Sequence, residues 1–518
     1  MITLAGLALR LPSFGDSLFG DELSAYFIVA GHSFGEMMHL LNNHSTELNP
    51  PLFFMLTWVG QKLLGLSTET MKLVSLLAGT ATIPLTYALG RRTIGVRAGI
   101  VASALAATCP FMIYYSTEAR PYALMVLLIL LVALALLEAV QRPGWRWWAA
   151  YALFACAAAY THFTSVFALA ALFAWALVTH PVVWRKLLLA SAAAAIAYLP
   201  WLPILIKTSE SPGTKLYEVL EPFSLHAIRI DLGHWAIGHP YLLLSQVPGT
   251  GATLIAVIAV FIAIVGTGLK LAPRLRGSPL PRPTFGLALV VVLALAAPLG
   301  VALYSAVRES VWGARNVISS WTGFAVLLGA LVTYPKTLWR VPATGLLLVA
   351  FVIGGVSMLP ARHHRPDYTD AIAYIDSLAR NAGPIADVVA PTPGPPTETE
   401  AALALAGTAG AHSVFRIGIP PLKEVLAAPP YTSLKPQPGQ LVAREVAAAA
   451  GDGLLFIVAP TAVPTASLQA ARRRRSQANT NELAIFGSFL GALPARFHPV
   501  GSRTFPGLAP VTVYVYRG

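Results

Sequence analysis

Two neighbouring carboxylates in the first polar segment are the densest chemistry-bearing residues of the chain. The segment FGDELSAYF carries Asp21 and Glu22 directly after the first apolar stretch. Adjacent carboxylates at a membrane surface can act as a general base, hold a cation or cap a helix. Because Asp21 also precedes a helix-like run in the position of an N-cap, the capping role and the catalytic role carry equal weight.

Charged residues interrupt the apolar runs at two further places. Glu118 and Arg120 lie in YYSTEARPYAL, and Arg315 lies in VWGARNVISSW. Such residues at a membrane edge form a local ion pair, anchor a helix at the interface or bind a lipid phosphate through a bidentate guanidinium. Two arginines on the same side as a carboxylate pair favour an anion site over simple anchoring.

Two other polar residues adjoin these segments. Glu47 precedes the Pro-Pro bend of NHSTELNPPLFF, which alternatively marks only a proline in the first turn of a helix. His162 lies in the short YTHFT turn, where a histidine is more often structural than in contact with substrate. Carboxylates are available, but no spacing dictates a metal site, so a divalent cation stays open. A glycine-rich phosphate loop, HExxH and GxSxG are not evident.

The composition requires lipid as the solvent for most of the chain. Its 518 residues are 56% hydrophobic and 11% charged, with a mean hydropathy of +0.65. The net charge of +13 does not indicate nucleic-acid binding, because most basic residues up to about 340 lie in short loops between apolar runs. Cys109 and Cys156 lie inside apolar runs, which argues against a disulfide framework. The first apolar stretch has only about a dozen residues and no cleavage site, so we expect translation to start further upstream.

Ten apolar runs are long enough to cross, or nearly cross, a bilayer. Together with the short first stretch they predict about eleven transmembrane helices. Segment 51–66 is also apolar. If it crossed the membrane, every later loop would change sides, and the basic loops would then lie outside the cytoplasm. We therefore expect it to lie at the outer interface or to re-enter the membrane as a helix. The ten runs lie near 72–90, 98–115, 120–139, 147–161, 163–181, 187–206, 250–270, 284–305, 317–334 and 341–358.

Alternate loops between these runs are basic and carry no carboxylate. The positive-inside rule places such loops in the cytoplasm. The chain then begins in the cytoplasm, ends outside it, and presents its candidate site residues on the extracytoplasmic side. The basic residues are Arg91, Arg92 and Arg97; Arg142 and Arg146; Arg185 and Lys186; Lys270, Arg274, Arg276 and Arg282; and Lys336 and Arg340.

Hydropathy falls after residue 360, so 1–360 is predicted as the membrane domain and 361–518 as a small extracytoplasmic α/β domain. The arginine run at 472–475 either contacts anionic headgroups or glycans, or forms a solvated helix face, which we favour. PTPGPPTETE is predicted as a proline-rich loop. The predicted helices are DYTDAIAYIDSLARNAG, QLVAREVAAAAG and TNELAIFGSFLGAL, and the predicted strands are IADVVAP, GLLFIVAP and VTVYVY.

Four segments in this order resemble the polytopic membrane glycosyltransferases of the GT-C type. They are LRLPSFGDSLFGDEL, NPPLFF, KLVSLLAGTATIPLTYALGRR and PFMIYYSTEARPYAL. The similarity is to the group around protein O-mannosyltransferases and the aminoarabinose transferase that modifies lipid A. It is dense over 9–140, and YTHFT, LPWLP and GARNVI extend it to about 320. Beyond 360 only the general plan is similar.

Several positions depart from the usual pattern of that group. Asn49 stands where the group has histidine, which weakens a metal site at that place. Lys72 replaces an arginine, and Asn316 stands where tyrosine is common. Phe53 and Phe54 replace tyrosines. The DE pair and the EARPY segment, which carry the function in relatives, are intact.

The resemblance implies an all-α GT-C membrane domain and an enzyme that moves a mannose- or arabinose-type sugar from a polyprenyl phosphate. The acceptor would be a protein, a lipid or a cell-wall glycan outside a bacterial plasma membrane, and the anomeric carbon would be inverted. In this hypothesis Asp21 takes the proton of the acceptor, while Arg120 and Arg315 stabilise the phosphate that leaves. The other substrate-binding residues that the resemblance implies are Glu22, Glu47, Glu118, Tyr122 and His162.

A transporter or flippase of lipid-linked sugars is the main alternative, because polytopic helices with buried charges also describe transporters. Transporters often consist of two related halves, and no second copy of the GDEL or EARPY segment is present. A third alternative is an assembly subunit that binds glycan without catalysis. It predicts that Asp21 is dispensable.

Overall fold

The chain forms two compact units in a computed structural model that describes residues 1–43, 47–142, 144–209, 223–275, 284–379, 383–388, 396–417, 439–460 and 487–518. Residues Met1–Pro12, Leu48–Thr57 and Lys72–Met358 make up the helical unit. Residues Ser13–Glu47, Trp58–Met71 and Leu359–Gly518 make up the sheet unit. Predictions that lie outside the described residues concern Arg276, Arg282, the arginine run 472–475 and the segments 44–46, 380–382, 389–395 and 480–486.

The helices follow the apolar and amphipathic runs of the sequence. In chain order they are α1 (Ile2–Ala8), α2 (Glu22–Val29), α3 (Phe34–Asn43), α4 (Leu52–Leu64), α5 (Thr68–Thr93), α6 (Val96–Thr108), α7 (Pro110–Ser116), α8 (Tyr122–Gln141), α9 (Arg146–Ala159), α10 (Ser165–Thr179), α11 (Trp184–Tyr198), α12 (Leu202–Ser209), α13 (Leu225–Ile237), α14 (Thr250–Leu275), α15 (Phe285–Val307), α16 (Trp321–Thr333), α17 (Thr337–Val356), α18 (Tyr368–Ala379), α19 (Glu398–Ala406) and α20 (Gly439–Ala450).

Each predicted span falls on one of these helices or on two consecutive ones. Among the described residues, seven helical segments are long and apolar enough to cross a membrane, judged by length and composition alone. The pair α6 and α7 adds an eighth, bent by 61° at Cys109 because Pro110 disfavours helical backbone in the residue before it. The helices α1, α9 and α10 are shorter, with 7, 14 and 15 residues. Segment 51–66 forms α4, and its place at the membrane interface stays a prediction.

Small residues let the helices of the helical unit approach one another closely. A Cβ added at Gly90 of α5 would lie 2.7 Å from the Cα of Gly99 in α6. A Cβ added at Gly79 of α5 would lie 2.5 Å from the Cβ of Ser116, the last residue of α7. The helix α8 is buried along almost its whole length. Helices α5, α7 and α8 are therefore the rigid frame for the turn between α7 and α8.

Five strands form one sheet in the order β2-β1-β3-β5-β4. Strand β1 pairs in parallel with β2 and β3, while β5 pairs antiparallel with β3 and β4. Successive side chains point to opposite faces, so Phe456 joins the core beneath α18 whereas Ile457 joins the core beneath α20. The strands are β1 (Ile385–Val388), β2 (Val414–Ile417), β3 (Leu454–Pro460), β4 (His498–Phe505) and β5 (Val511–Arg517).

The structure confirms the predicted helices α18 and α20 and the predicted strands β1, β3 and β5. The predicted end of the proline-rich loop is wrong. TETE begins α19, and Thr397 with Glu400 forms a capping box at its start. The Glu400 backbone N–H donates to Thr397 Oγ1 at 3.2 Å, and the Thr397 N–H donates to Glu400 Oε2 at 2.9 Å. The pattern T-x-x-E before an alanine-rich run is the signal that predicts this start. Strands β2 and β4 were also not predicted.

Candidate functional site

A buried turn between α7 and α8 carries Glu118 and Arg120, which are 2% and 6% exposed. The Arg120 backbone N–H donates to the Glu118 carbonyl at 2.7 Å. The Ser75 hydroxyl of α5 donates to the Arg120 carbonyl at 3.0 Å. Because Pro121 directly precedes α8, the backbone must complete its turn within a few residues. The turn is therefore held both by its own backbone and by α5.

Aromatic rings pack beside this turn. The ring centroid of Tyr122 lies 5.1 Å from that of Tyr115 and 5.4 Å from that of His162. The Thr164 backbone N–H donates to His162 Nδ1 at 3.2 Å, and Thr164 Oγ1 lies 2.9 Å from the same atom. Because Nδ1 accepts a hydrogen bond, the neutral ring carries its proton on Nε2.

Positive charge surrounds His162, which lies in the turn between α9 and α10. The side chain is 1% exposed. Burial, the charge of Arg120 and the charge of Arg315, in that order, lower the pKa of His162 from 6.5 to about 3. His162 is therefore neutral at physiological pH, and both guanidinium groups act on the same imidazole.

Arg315 reaches this place from a short 3-10 turn, Ala314–Ser320. Its side chain is half-buried, and the neighbouring Asn316 amide donates to the Val311 carbonyl at 2.8 Å. The hydroxyl of Tyr115 lies within electrostatic reach of both Glu118 and Arg315. The helical unit thus brings together five of the predicted site residues in what we call the arginine cluster: Glu118, Arg120, Tyr122, His162 and Arg315.

Asp21 belongs to the sheet unit and stands at the N-cap position of α2. Its side chain is exposed and makes no capping hydrogen bond to the helix. The backbone of Asp21 is helical, with φ −61° and ψ −19°, whereas a capping residue normally has extended backbone. Of the two roles left open by the sequence, the structure therefore disfavours capping.

Glu22 and Glu47 are buried inside the sheet unit, at 0% and 3% exposure. Glu22 Oε2 lies 2.7 Å from Nε of Arg365, a residue that the sequence did not single out. The Ser24 hydroxyl donates to Glu47 Oε2 at 3.1 Å. The Glu22 carboxylate is fully buried. An indirect role therefore suits Glu22 better than the direct contact with substrate that the resemblance implies.

The chain resembles known proteins in sequence and in fold. The profile of the dolichyl-phosphate-mannose-protein mannosyltransferase family matches residues 48–206, which is less than half of the chain. The crystal structure of ArnT from Cupriavidus metallidurans bound to undecaprenyl phosphate aligns with a TM-score of 0.52 at 14% sequence identity. The alignment covers 99% of this chain and 96% of that chain. The chain is a multi-pass membrane protein with the GT-C fold.

Two other solved structures are similar to this GT-C chain at lower TM-scores. The oligosaccharyltransferase of Archaeoglobus fulgidus has a TM-score of 0.48 and 11% identity, and the alignment covers 97% of this chain and 71% of that chain. The arabinofuranosyltransferase AftD from Mycobacteria has a TM-score of 0.43 and 15% identity, with 100% of this chain and 39% of that chain covered. A comparison with curated protein sequences gives no match.

Lys72 is a residue of the GT-C chain that the sequence marked only as a departure from the family pattern. It is fully buried on α5, one turn before Ser75, whose hydroxyl contacts the Arg120 turn. A lysine at the start of an apolar run is the signal that could have identified it, because a charge buried in a membrane protein is costly and seldom incidental.

No three His, Cys, Asp or Glu side chains lie close enough to hold a metal ion among the residues that the structure describes. Asn49, the position at which relatives have histidine, is 6% exposed. An amide oxygen is a weaker metal ligand than imidazole for the metals that prefer nitrogen. The described residues therefore point to no ligand set, and the divalent cation stays an open question of the sequence.

Proposed function

We propose that this GT-C protein is an inverting glycosyltransferase that moves a sugar from a polyprenyl phosphate to an acceptor outside the cytoplasm. The observation that carries the proposal is the arginine cluster, in which two guanidinium groups act on one buried neutral imidazole. Two neighbouring guanidinium groups suit the binding of an anion, and a phosphate monoester matches the fork of hydrogen-bond donors that a guanidinium presents.

The charge of the leaving group gives Arg120 and Arg315 a role in the reaction. When the bond between the anomeric carbon and the phosphate oxygen breaks, its electron pair stays on the phosphate, and negative charge grows on that group. Arg120 and Arg315 would stabilise this charge without reorganising, because the buried turn and the 3-10 turn already hold their backbones. Lys72 would add a third positive charge on α5.

Asp21 would supply the base. Its carboxylate takes the proton of the acceptor hydroxyl as that oxygen bonds to the anomeric carbon, on the face opposite the departing phosphate. The attack inverts the anomeric centre. The exposed side chain of Asp21 supports this role.

The apolar helices suit a donor with an isoprenoid tail. A sugar phosphate attached to a lipid is already activated before it crosses the membrane, so the reaction needs no nucleotide site on the outer side. In the bacterial plasma membrane that we propose for this protein, the basic loops support a cytoplasmic N-terminus and an extracytoplasmic sheet unit. The sugar would be of mannose or arabinose type, and the acceptor a protein, a lipid or a cell-wall glycan.

The proposal is tested by the release of polyprenyl phosphate from synthetic polyprenyl-phosphate mannose and polyprenyl-phosphate arabinose. The purified chain is given an envelope fraction as the acceptor source. We expect Asp21→Asn to lower the release of polyprenyl phosphate by about 10²-fold or more, since general-base catalysis contributes about that much. The control is Asp452→Asn, which alters a carboxylate that is 91% exposed.

Full turnover by Asp21→Asn would end the proposed role of Asp21. Transbilayer movement of the donor in proteoliposomes, with no cleavage of the sugar-phosphate bond by the unsubstituted protein, would favour the transporter instead.

A further inference from the structure

Asp21 lies in the segment 16–22, here called the base loop, which leads into α2. A general base works only when its carboxylate is held at the right place, and a displacement of about 1 Å can lower turnover about 10²-fold. The contacts that hold the base loop therefore bear directly on the proposed chemistry. All of those described below lie within the sheet unit.

The first half of the base loop is bound to the segment that follows the last membrane helix. Asp16 Oδ2 accepts the Arg365 backbone N–H at 3.1 Å, and Asp16 Oδ1 lies 3.2 Å from His364 Nδ1. The Thr369 backbone N–H donates to Ser17 Oγ at 2.9 Å. Residues more than 340 positions apart in the chain thus share hydrogen bonds.

The second half of the base loop is fixed on both sides of Asp21. The Gly20 backbone N–H donates to Glu398 Oε1 at 3.4 Å. Glu22 forms the ion pair with Arg365, and its Oε2 also accepts the Phe19 N–H at 3.1 Å. Glu22 and Arg365 are 0% and 2% exposed, so water does not screen this pair.

Arg365 is itself held by the sheet. The Leu508 backbone N–H, from the connection between β4 and β5, donates to the His364 carbonyl at 2.8 Å. A Cβ added at Gly507 would lie 2.9 Å from the Arg365 carbonyl oxygen and 2.7 Å from the Cα of Pro366. The segment 364–366 therefore transmits the position of the sheet to the base loop.

We propose that Arg365 is a positioning residue for Asp21 and acts through Glu22. The C-terminal α/β domain is then part of the catalytic machinery, because its sheet sets the place of the base. A guanidinium suits this task, since its planar fork of donors restricts the carboxylate that it holds more than an ammonium does. The inference rests on the proposed function of Asp21.

The test measures kcat and the donor KM for Arg365→Gln, Arg365→Lys and the control Arg362→Gln, which alters an exposed arginine three positions away. We expect Arg365→Gln to lower kcat about 10²-fold while the donor KM stays within about two-fold. Arg365→Lys should recover about ten-fold of that loss, because it restores the charge but not the fork. Arg362→Gln should keep the original kcat.

Binding of polyprenyl phosphate separates positioning from general damage. We expect polyprenyl phosphate to raise the Tm of Arg365→Gln by as much as it raises the Tm of the unsubstituted protein, because the arginine cluster is untouched. An unchanged kcat in Arg365→Gln overturns the inference. So does a loss that appears mainly in the donor KM and in polyprenyl phosphate binding.

Burial of the pair makes misfolding of Arg365→Gln a foreseeable outcome. If this variant shows no cooperative unfolding transition, Arg365→Lys and Glu22→Gln carry the test. Both are expected to lower kcat about ten-fold or more at constant donor KM, and full activity in both overturns the inference. Asp21→Asn in the same assay separates the two claims. Full activity of Asp21→Asn ends the proposed role of Asp21. An inactive Asp21→Asn variant beside fully active Arg365 variants ends only the positioning role of Arg365.

Discussion

His162 stays neutral within the arginine cluster. Two arginines beside a histidine would repel it if it were protonated, and burial adds to that cost. Its Nδ1 already accepts a hydrogen bond from the Thr164 backbone N–H, so a second proton would also break that contact. The imidazole is therefore neutral, with its hydrogen on Nε2.

The depressed pKa of His162 gives a prediction for stability. Between the unfolded pKa of 6.5 and the folded pKa of about 3, only the unfolded chain binds a proton at this residue. The folded protein therefore loses stability as pH falls below about 6.5. We expect the Tm of His162→Gln to fall less than that of the unsubstituted protein between pH 6.5 and pH 5. Parallel curves would contradict the buried neutral histidine.

Arg315 should contribute directly to phosphate affinity. A charge-assisted hydrogen bond contributes about 1.5–3 kcal/mol, which corresponds to a change of about ten- to a hundred-fold in affinity. We expect Arg315→Gln to weaken polyprenyl phosphate binding by about that factor in calorimetry. Arg308→Gln, at an exposed arginine, is the control and should bind normally. Equal affinities for both variants would remove Arg315 from the site.

Among the elements, α5 directly contacts the turn that carries Glu118 and Arg120. Ser75 fixes the Arg120 carbonyl, and Gly79, one turn further, allows Ser116 to approach the helix. Ser116 ends α7 and so sets where the turn with Glu118 and Arg120 begins. The spacing of Ser75 and Gly79 by four residues places both on one face of α5.

Gly79→Ala should therefore disturb both stability and turnover. Its new Cβ would lie 2.5 Å from the Ser116 Cβ and 3.2 Å from the Ser116 Cα, so backbone as well as side chain must move. Such overpacking costs about 1–3 kcal/mol. We expect a lower Tm and a lower kcat from thermal unfolding and donor turnover. Gly345→Ala in α17 meets no atom within 4 Å and should lower neither the Tm nor kcat. A similar loss in both variants would contradict overpacking as the cause.

The elements that the sequence predicts well are those whose burial depends on local composition. Apolar helices are visible in the hydropathy along their whole length, so hydropathy alone predicts the helices on which the predicted spans fall. The helix α19 was missed because prolines precede it, although its capping box is local. Strand β4 was missed because its side chains are mostly exposed, which removes the alternation that marks a half-buried strand.

For the whole molecule, the sequence predicts the members of the arginine cluster but not the contacts that fix the base loop. The cluster residues interrupt apolar runs, and a charge in such a run is visible in the sequence. Arg365 and Glu398 lie in polar segments where charges are ordinary. Their partners are more than 340 residues away, and no periodicity links positions at that distance.

His162 in the helical unit and Asp387 in the sheet unit should change the stability in opposite directions as the pH changes. Asp387 of β1 is 2% exposed, and burial raises its pKa from 3.8 to about 7. Between these values only the folded state keeps the proton, so the contribution of Asp387 to stability falls as pH rises and is smallest above pH 7.

Asp387→Asn should therefore stabilise the protein near pH 8 and have little effect near pH 4. The asparagine can still accept the hydrogen bond that Thr399 Oγ1 donates to Asp387 Oδ1 at 2.8 Å. We expect a Tm increase of at least about 2 °C at pH 8, since about 1 kcal/mol shifts the Tm of a large domain by roughly 2–4 °C. A Tm difference that does not depend on pH would rule out titration of this carboxyl.

The most direct measurement of the central claim is a density map of the protein with polyprenyl phosphate bound in a lipid nanodisc. We expect phosphate density within hydrogen-bond distance of the guanidinium groups of Arg120 and Arg315. Phosphate bound elsewhere, or an Asp21 on the opposite side of the bilayer from Arg120, would contradict the central claim.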